Sequence, residues 1–449
     1  MQDNREKFGR FGALMAMAGS AVGLGNLWRF PYLLGENGGA AFLLLYIVFA
    51  FCFALPVFIS EFIIGRRSGV NCFKAFGKLS KKESPWKYVG LVGLGSIIIT
   101  SYYSVVGGWC LEYLFKSCTF EISPDNSAEE ISGIFQGFVS SVWPPLIGHV
   151  MFLGISIYIV SKGVKKGIES FGKIAMPALF VIVIGIAVYV AFLPGASEGY
   201  RYMFRPDFSK IDGNVVAAAL GQSFFSMSLG VGCIMTYASY VNKGDSVVRH
   251  SFSTSLIDLL FAIIAGCAIM PAVFSFGVDS ASGPSLVFET LPFIFARMPG
   301  GSVISILFFV ALLVAALTSE VSMIEVVEAY LIEERKLSRK KASTIVFCFA
   351  FILGCLCSLS FGPLSGIKLF DHTIFDFCDT LTSNVLMTLG ALFTVLFVGW
   401  RMDKSDLKDE FVFGDRSRLS TRLFPYFYFL IRYVAPLAIL AIFISGIID

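Results

Sequence analysis

Most of this chain is too apolar, in stretches too long, to fold in water. Eleven segments are each near or above the roughly 20 residues that a helical bilayer crossing requires. They cover residues 9–34, 40–67, 88–117, 143–161, 171–193, 214–240, 252–279, 302–333, 342–361, 374–400 and 424–447. Hydrophobic residues make up 56% of the chain and charged residues 15%, against roughly a quarter charged in soluble domains. A water-soluble chain of 449 residues would need far more polar surface. The reading is an all-α integral membrane protein, one transmembrane domain over 1–449. Leu286–Met298 is apolar but too short to span, and reads as a re-entrant or capping helix between spans seven and eight.

Lysine and arginine set the orientation. Arg5, Lys7 and Arg10 precede span one, Arg66 to Lys87 after span two is rich in basic residues, and further clusters follow spans four and eight. The loop carrying Asp125, Glu129 and Glu130 is acidic. The positive-inside rule puts the amino terminus in the cytoplasm, and eleven crossings then put Asp449 outside. The expected location is the plasma (inner) membrane, multi-pass, with no cleavable leader evident. A formal net charge of +3 suggests no nucleic-acid partner. Ten scattered cysteines and three distant histidines (149, 250, 372) suggest no metal centre, disulfide framework or resident cofactor. Oligomeric state is left open.

Two of the spans carry breaks. Gly19-Ser-Ala-Val-Gly-Leu-Gly-Asn26 places three glycines within seven positions, each costing roughly 1 kcal/mol relative to alanine in a helix. Ser226-Met-Ser-Leu-Gly-Val-Gly232 carries a second such interruption, with two glycines, about two hundred residues later. Unwound backbone inside a membrane is tolerated only where it is buried in protein or lines a cavity, and paired interruptions in two halves point to a transporter's binding site. Spans 1–5 (9–193) and 6–10 (214–400) have nearly equal lengths, and each set begins with its broken helix. Five is odd, so the second set inserts upside down: an inverted 5+5 repeat, with span 11 (424–447) added. A broken helix offers free N–H groups to a carboxylate and bare carbonyls to a hard cation. Ala21, Val22 and Asn26 flank the first break, Ser226 and Ser228 the second, and Thr318-Ser319 supplies a hydroxyl pair in span eight.

Gly19 to Tyr32 (Gly-Ser-Ala-Val-Gly-Leu-Gly-Asn-Leu-Trp-Arg-Phe-Pro-Tyr), followed by Glu36-Asn-Gly-Gly39, resembles the first span of the neurotransmitter:sodium symporter family. Phe224-Phe-Ser-Met-Ser-Leu-Gly230 and Thr236-Tyr-Ala-Ser-Tyr240 resemble its sixth span, and Leu317-Thr-Ser319 with Lys336-Leu-Ser-Arg339 its eighth. The resemblance covers spans one to ten. It implies the LeuT-like fold, with helices 1 and 6 unwound at mid-membrane, and sodium as coupling ion. The first sodium would meet Ala21, Asn26, Ser226 and Asp258; the second would meet Gly19, Val22, Ala315, Thr318 and Ser319. Asp258 stands where relatives most often carry asparagine. An acid inside a membrane is functional by default, and here it would supply the negative charge that chloride supplies in other relatives, so chloride is not expected.

The same alignment implies the substrate site. Amine-transporting relatives carry aspartate at the position of Gly23, so glycine here leaves room for an amino acid's own carboxylate, beside the Tyr103 hydroxyl. Ala21, Leu24, Gly25, Ser226, Ser228 and Ser319 would surround the backbone end, and Ile99, Phe225, Val231 and Met323 the side chain. None of these is charged, and a buried unpaired charge costs several kcal/mol, so a neutral, large apolar or aromatic amino acid is expected. Arg29 would pair with Asp379, rather than Asp376, above the substrate. Arg5 would pair with Glu333, rather than Glu334, on the cytoplasmic side, with Tyr240 supporting that closure. Glu61 reads as a structural tie from span two to span six or seven, and Glu325 and Glu328 as candidates to face an inner cavity. The expected function is sodium-coupled symport by alternating access; the alternative is a non-transporting amino-acid sensor or receptor on the same scaffold. A channel would need a continuous polar pore, and an enzyme a nucleophile–base pair; neither pattern is present in the sequence.

Overall fold

A computed structural model describes residues 6–81, 84–278, 283–414 and 418–448, and among these the chain is helical throughout with only an isolated bridge between Leu369 and His372. Among the described residues nine helices are long and apolar enough to cross a membrane: Ala40–Ser68, Pro85–Thr119, Trp143–Ser161, Val164–Ala191, Val247–Ser275, Gly301–Glu334, Arg339–Leu359, Ile374–Arg401 and Leu419–Ile444. Arg10–Ala21 and Gly25–Glu36 form a tenth span bent by 49°. Gly213–Ser226 and Cys233–Ser239 occupy the place of the sixth expected span, each too short to cross alone. Span numbers below follow this chain order.

Element starts follow local chemistry that apolar patterning alone does not register. Span seven begins at Val247, five residues earlier than expected, because the Ser246 side chain accepts the Arg249 N–H as an N-cap. The Ala128–Ser140 helix in the acidic loop opens on a capping box between Ser127 and Glu130. The Leu286–Met298 segment forms a short helix, Thr290–Arg297, that packs on span eight and on Ala128–Ser140.

Burial separates inner from peripheral helices. Two thirds (67%) of the most apolar window is buried in spans three and seven, but only 22% in span eleven. Exposed Ile174, Val181 and Phe192 give span five a lipid-facing side. Lipid tails are as apolar as leucine, so helices in a membrane associate through close packing and polar contacts. Spans three and four do this backbone to backbone: a Cβ on Gly108 would lie 2.5 Å from His149 N, and one on Gly148 2.8 Å from Gly108 O. Span ten crosses the break of span six equally closely, since a Cβ on Gly390 would lie 1.9 Å from Gly230 O.

Candidate functional site

The first break is defined by its hydrogen bonds. Val22 N–H makes the last bond of the Arg10–Ala21 helix, to Ala18 O, and Val22 itself turns extended (ψ 105°). The next two amides leave the helical pattern. Gly23 N–H donates to Asn26 Oδ1 at 3.0 Å, and Leu24 N–H donates to the Tyr103 hydroxyl at 3.3 Å. In span six the helix stops at Ser226. Ser228 (φ 51°), Gly230 (φ 90°) and Gly232 (φ 85°) then take left-handed backbone before the chain resumes at Cys233. Glu61 accepts the Gly230 N–H at 2.6 Å, so span two holds this break, as its sequence position suggests. Ser228 Oγ donates to Ser20 O at 2.8 Å, stitching the two breaks together.

Two clusters of oxygens converge there. In one, Asp258 Oδ1 accepts from Asn26 Nδ2 and from Ser226 Oγ, both at 2.8 Å, and Oδ2 accepts from the Tyr46 hydroxyl at 3.4 Å. Asn26, Ser226 and Asp258 are all buried. In the other, Thr318 Oγ1 donates to Ala315 O at 2.9 Å and Val22 O at 3.3 Å, while Ser319 Oγ reaches Gly19 O at 3.5 Å and Ser20 O at 3.4 Å. Neutral oxygens with one carboxylate suit a hard cation that prefers oxygen ligands. Helical spacing alone could not have shown that spans one and eight meet at these atoms.

All eleven residues assigned to the substrate line one cavity of about 400 Å³. A Cβ on Gly23 would lie 2.3 Å from Ser319 Oγ and 3.3 Å from the Tyr103 hydroxyl. The absent side chain thus opens the backbone to both hydroxyls. Arg29 and Asp379 line the same cavity but do not pair. The Arg29 guanidinium lies over the Phe225 ring, 4.4 Å from its centroid, and Asp379 accepts from the Tyr102 and Ser383 hydroxyls, each at 3.0 Å. The cation–π contact and the two hydroxyls satisfy each charge separately. Trp28, Tyr102, Phe375, Asp376 and Ser383 also line the cavity; aromatic residues in apolar helices gave no sequence signal that set them apart from core.

At the inner end only part of the expected closure falls on described residues. Arg5 lies outside the described residues. Glu333 accepts from Asn71 N at 3.0 Å and Asn71 Nδ2 at 2.5 Å, because the Cys72–Leu79 helix starts there and its amino end favours a carboxylate. Tyr240 donates to Glu325 at 2.7 Å. Arg339 bridges Glu325 at 2.7 Å and Glu328 at 3.3 Å, and both acids are fully buried. These acids therefore sit in an ion cluster rather than on an inner cavity. Phe8 covers Tyr237 and Tyr240 edge-on, and its N–H donates to Tyr240 O at 3.0 Å.

Broken helices around a buried cavity with flanking oxygen clusters define a multi-pass membrane transporter rather than an enzyme. The family model described as "Sodium:neurotransmitter symporter family" matches residues 5–132 and 142–449. The chain is 38% identical over 440 residues to YhdH, an uncharacterized sodium-dependent transporter of Bacillus subtilis (strain 168), covering 97% of this chain and 96% of that one. It is 32% identical over 422 residues to the uncharacterized sodium-dependent transporter MJ1319 of Methanocaldococcus jannaschii, covering 89% and 82%. The crystal structure of MhsT in complex with L-phenylalanine superposes with a TM-score of 0.89 at 41% identity, covering 99% of this chain and 100% of that one. The chain belongs to the sodium:neurotransmitter symporter family, has the LeuT fold, and uses sodium as its coupling ion.

Proposed function

We propose that this chain imports a neutral, large apolar or aromatic L-amino acid together with sodium, by alternating access across the plasma membrane. The observation that carries this reading is the cavity itself. Its backbone end offers Gly23, the Tyr103 hydroxyl and Ser319, and its far end offers Ile99, Phe225, Val231 and Met323. The likeness to MhsT, whose crystal structure holds L-phenylalanine, supports the substrate class. Asn26, Ser226 and Asp258, with Ala21, are proposed to hold the sodium that touches substrate. Gly19, Val22, Ala315, Thr318 and Ser319 are proposed to hold the second. The second ion bridges spans one and eight, so its release frees span one to swing. An ion shifts the conformational equilibrium only by its differential affinity for the two states.

Asp258 supplies a fixed negative charge beside the first ion, and transport is accordingly independent of chloride. Residues 9–193 and 214–400 form the two inverted halves, with the amino terminus in the cytoplasm and the carboxyl terminus outside. Arg29 and Asp379 close the outer pathway by approaching one another across the cavity that now separates them.

The test screens purified protein for thermal stabilisation by each of twenty amino acids, in sodium and then in potassium, and repeats hits as uptake into proteoliposomes. Phenylalanine-like substrates stabilise in sodium alone, and uptake follows an inward sodium gradient. Stabilisation by charged amino acids, or equally in potassium, refutes the assignment. Stabilisation without accumulation identifies a sensor.

A further inference from the structure

Behind the cavity wall lies a second hollow that the transport reading does not use. It has a volume of about 690 Å³ and opens on the bilayer side of spans three and ten, lined by Trp86, Tyr88, Leu91, Ile98, Leu386 and Phe393 among others. Its wall is shared with the substrate cavity: Ile98 and Leu386 face the groove, while their neighbours Ile99 and Met387 face the cavity. The rim is exposed and apolar, with Tyr88 62%, Leu91 54% and Leu94 50% accessible.

One edge of this groove is basic. Lys87 Nζ sits 5.0 Å from the centroid of the Tyr88 ring. The Cys72–Leu79 helix packs along Pro85–Gly93, so closely that a Cβ on Gly77 would lie 3.3 Å from Lys87 Cβ. Lys78 follows Gly77 on the helix that runs against Lys87. Lys78, Lys81 and Lys87 are exposed and form no ion pair among the described residues, whereas Lys74 is held by Glu334 at 2.8 Å. Lys82 and Glu83 lie outside the described residues.

We propose that this groove is a binding site for one anionic phospholipid, its acyl chain between spans three and ten and its headgroup on Lys78, Lys81 and Lys87. Bulk lipid tails are as apolar as the groove, so tail burial alone selects no particular lipid. Selection therefore falls to the headgroup, and basic pockets beside transmembrane helices recognise anionic ones. A Tyr88 ring beside a lysine ammonium is also the pairing found at membrane interfaces, where both groups place a polar tip in the headgroup layer. A bound chain braces the wall that spans three and ten present to the substrate.

The full chain is incubated in vesicles of mixed phosphatidylglycerol and phosphatidylcholine, extracted, and its retained lipid quantified by native mass spectrometry. The expected result is one retained phosphatidylglycerol, preferred over phosphatidylcholine by about fivefold for each contributing lysine. The triple variant Lys78→Gln, Lys81→Gln, Lys87→Gln loses that preference. Leu91→Trp, a change at an exposed position that fills the groove, lowers retention of both lipids. Equal retention of the two lipids by the wild type, an unchanged preference in the triple variant, or undiminished retention in Leu91→Trp overturns the proposal.

Discussion

Replacing Asp258 by asparagine preserves the shape of the side chain and removes only its charge. In the structure its carboxylate takes hydrogens from Asn26, Ser226 and Tyr46, all neutral donors, and no lysine or arginine pairs with it among the described residues. The charge is therefore available to a bound cation. At about 3 Å and an effective dielectric of about 20, one unit charge contributes about 5 kcal/mol toward a monovalent ion. Desolvation of the carboxylate offsets part of this, and the asparagine oxygen replaces part of the rest. A net loss of about 2–3 kcal/mol is expected, which weakens sodium about 30- to 150-fold. The assay is a sodium titration of thermal stabilisation in the presence of substrate, run in chloride and again in gluconate. The wild type gives the same curve in both anions. Asp258→Asn shifts to higher sodium in gluconate and recovers part of the shift in chloride, because a mobile anion can now stand in for the lost charge. A variant within about twofold of the wild type in gluconate would falsify the assignment of Asp258 to the first ion.

Thr318→Val keeps side-chain volume but removes the hydroxyl that reaches Val22 O; sodium dependence of uptake is expected to lose its cooperativity while folding is retained, and an unchanged Hill coefficient contradicts the second ion site. Arg339→Gln leaves Glu325 and Glu328 buried without their counter-charge, and breaking such a pair costs about 3–5 kcal/mol. The thermal unfolding midpoint should fall clearly; an unaltered midpoint contradicts the buried cluster. Gly390→Ala forces a methyl to within 1.9 Å of Gly230 O. Overpacking of this kind costs about 1–3 kcal/mol and here displaces the break itself, so both stability and uptake should drop, and wild-type uptake refutes the contact.

The membrane class and both helix breaks were legible because glycine clusters inside apolar runs conflict with the demand for satisfied backbone in lipid. Asp258 was placed at the site by the motif resemblance, and its charge then mattered because an acid there has no water to solvate it. Thr318 and Ser319 did not stand out by composition, since hydroxyls in apolar helices usually bond back to their own turn; Thr318 does so to Ala315 as well as reaching across. The motif resemblance was needed to single them out. Nothing along the chain shows that Arg339 folds back onto Glu325 and Glu328 in the preceding helix. The contact of Glu333 with the start of the Cys72–Leu79 helix was not legible, because the two lie more than two hundred residues apart. Polar contacts between distant spans are set by packing, and single-sequence patterns carry little of it.

The joint between spans three and four has a mechanical meaning. Where Gly108 and Gly148 meet there is no side chain between the two backbones to change rotamer or lean aside. A Cβ on Gly354 would lie 2.6 Å from Ser101 O, so span nine meets span three just as closely. Such a seam cannot creep; it moves as one block or it separates. On the proposed alternating-access reading, displacement is taken up elsewhere, at the points where the chain leaves helical winding, around 22–24 and 227–232.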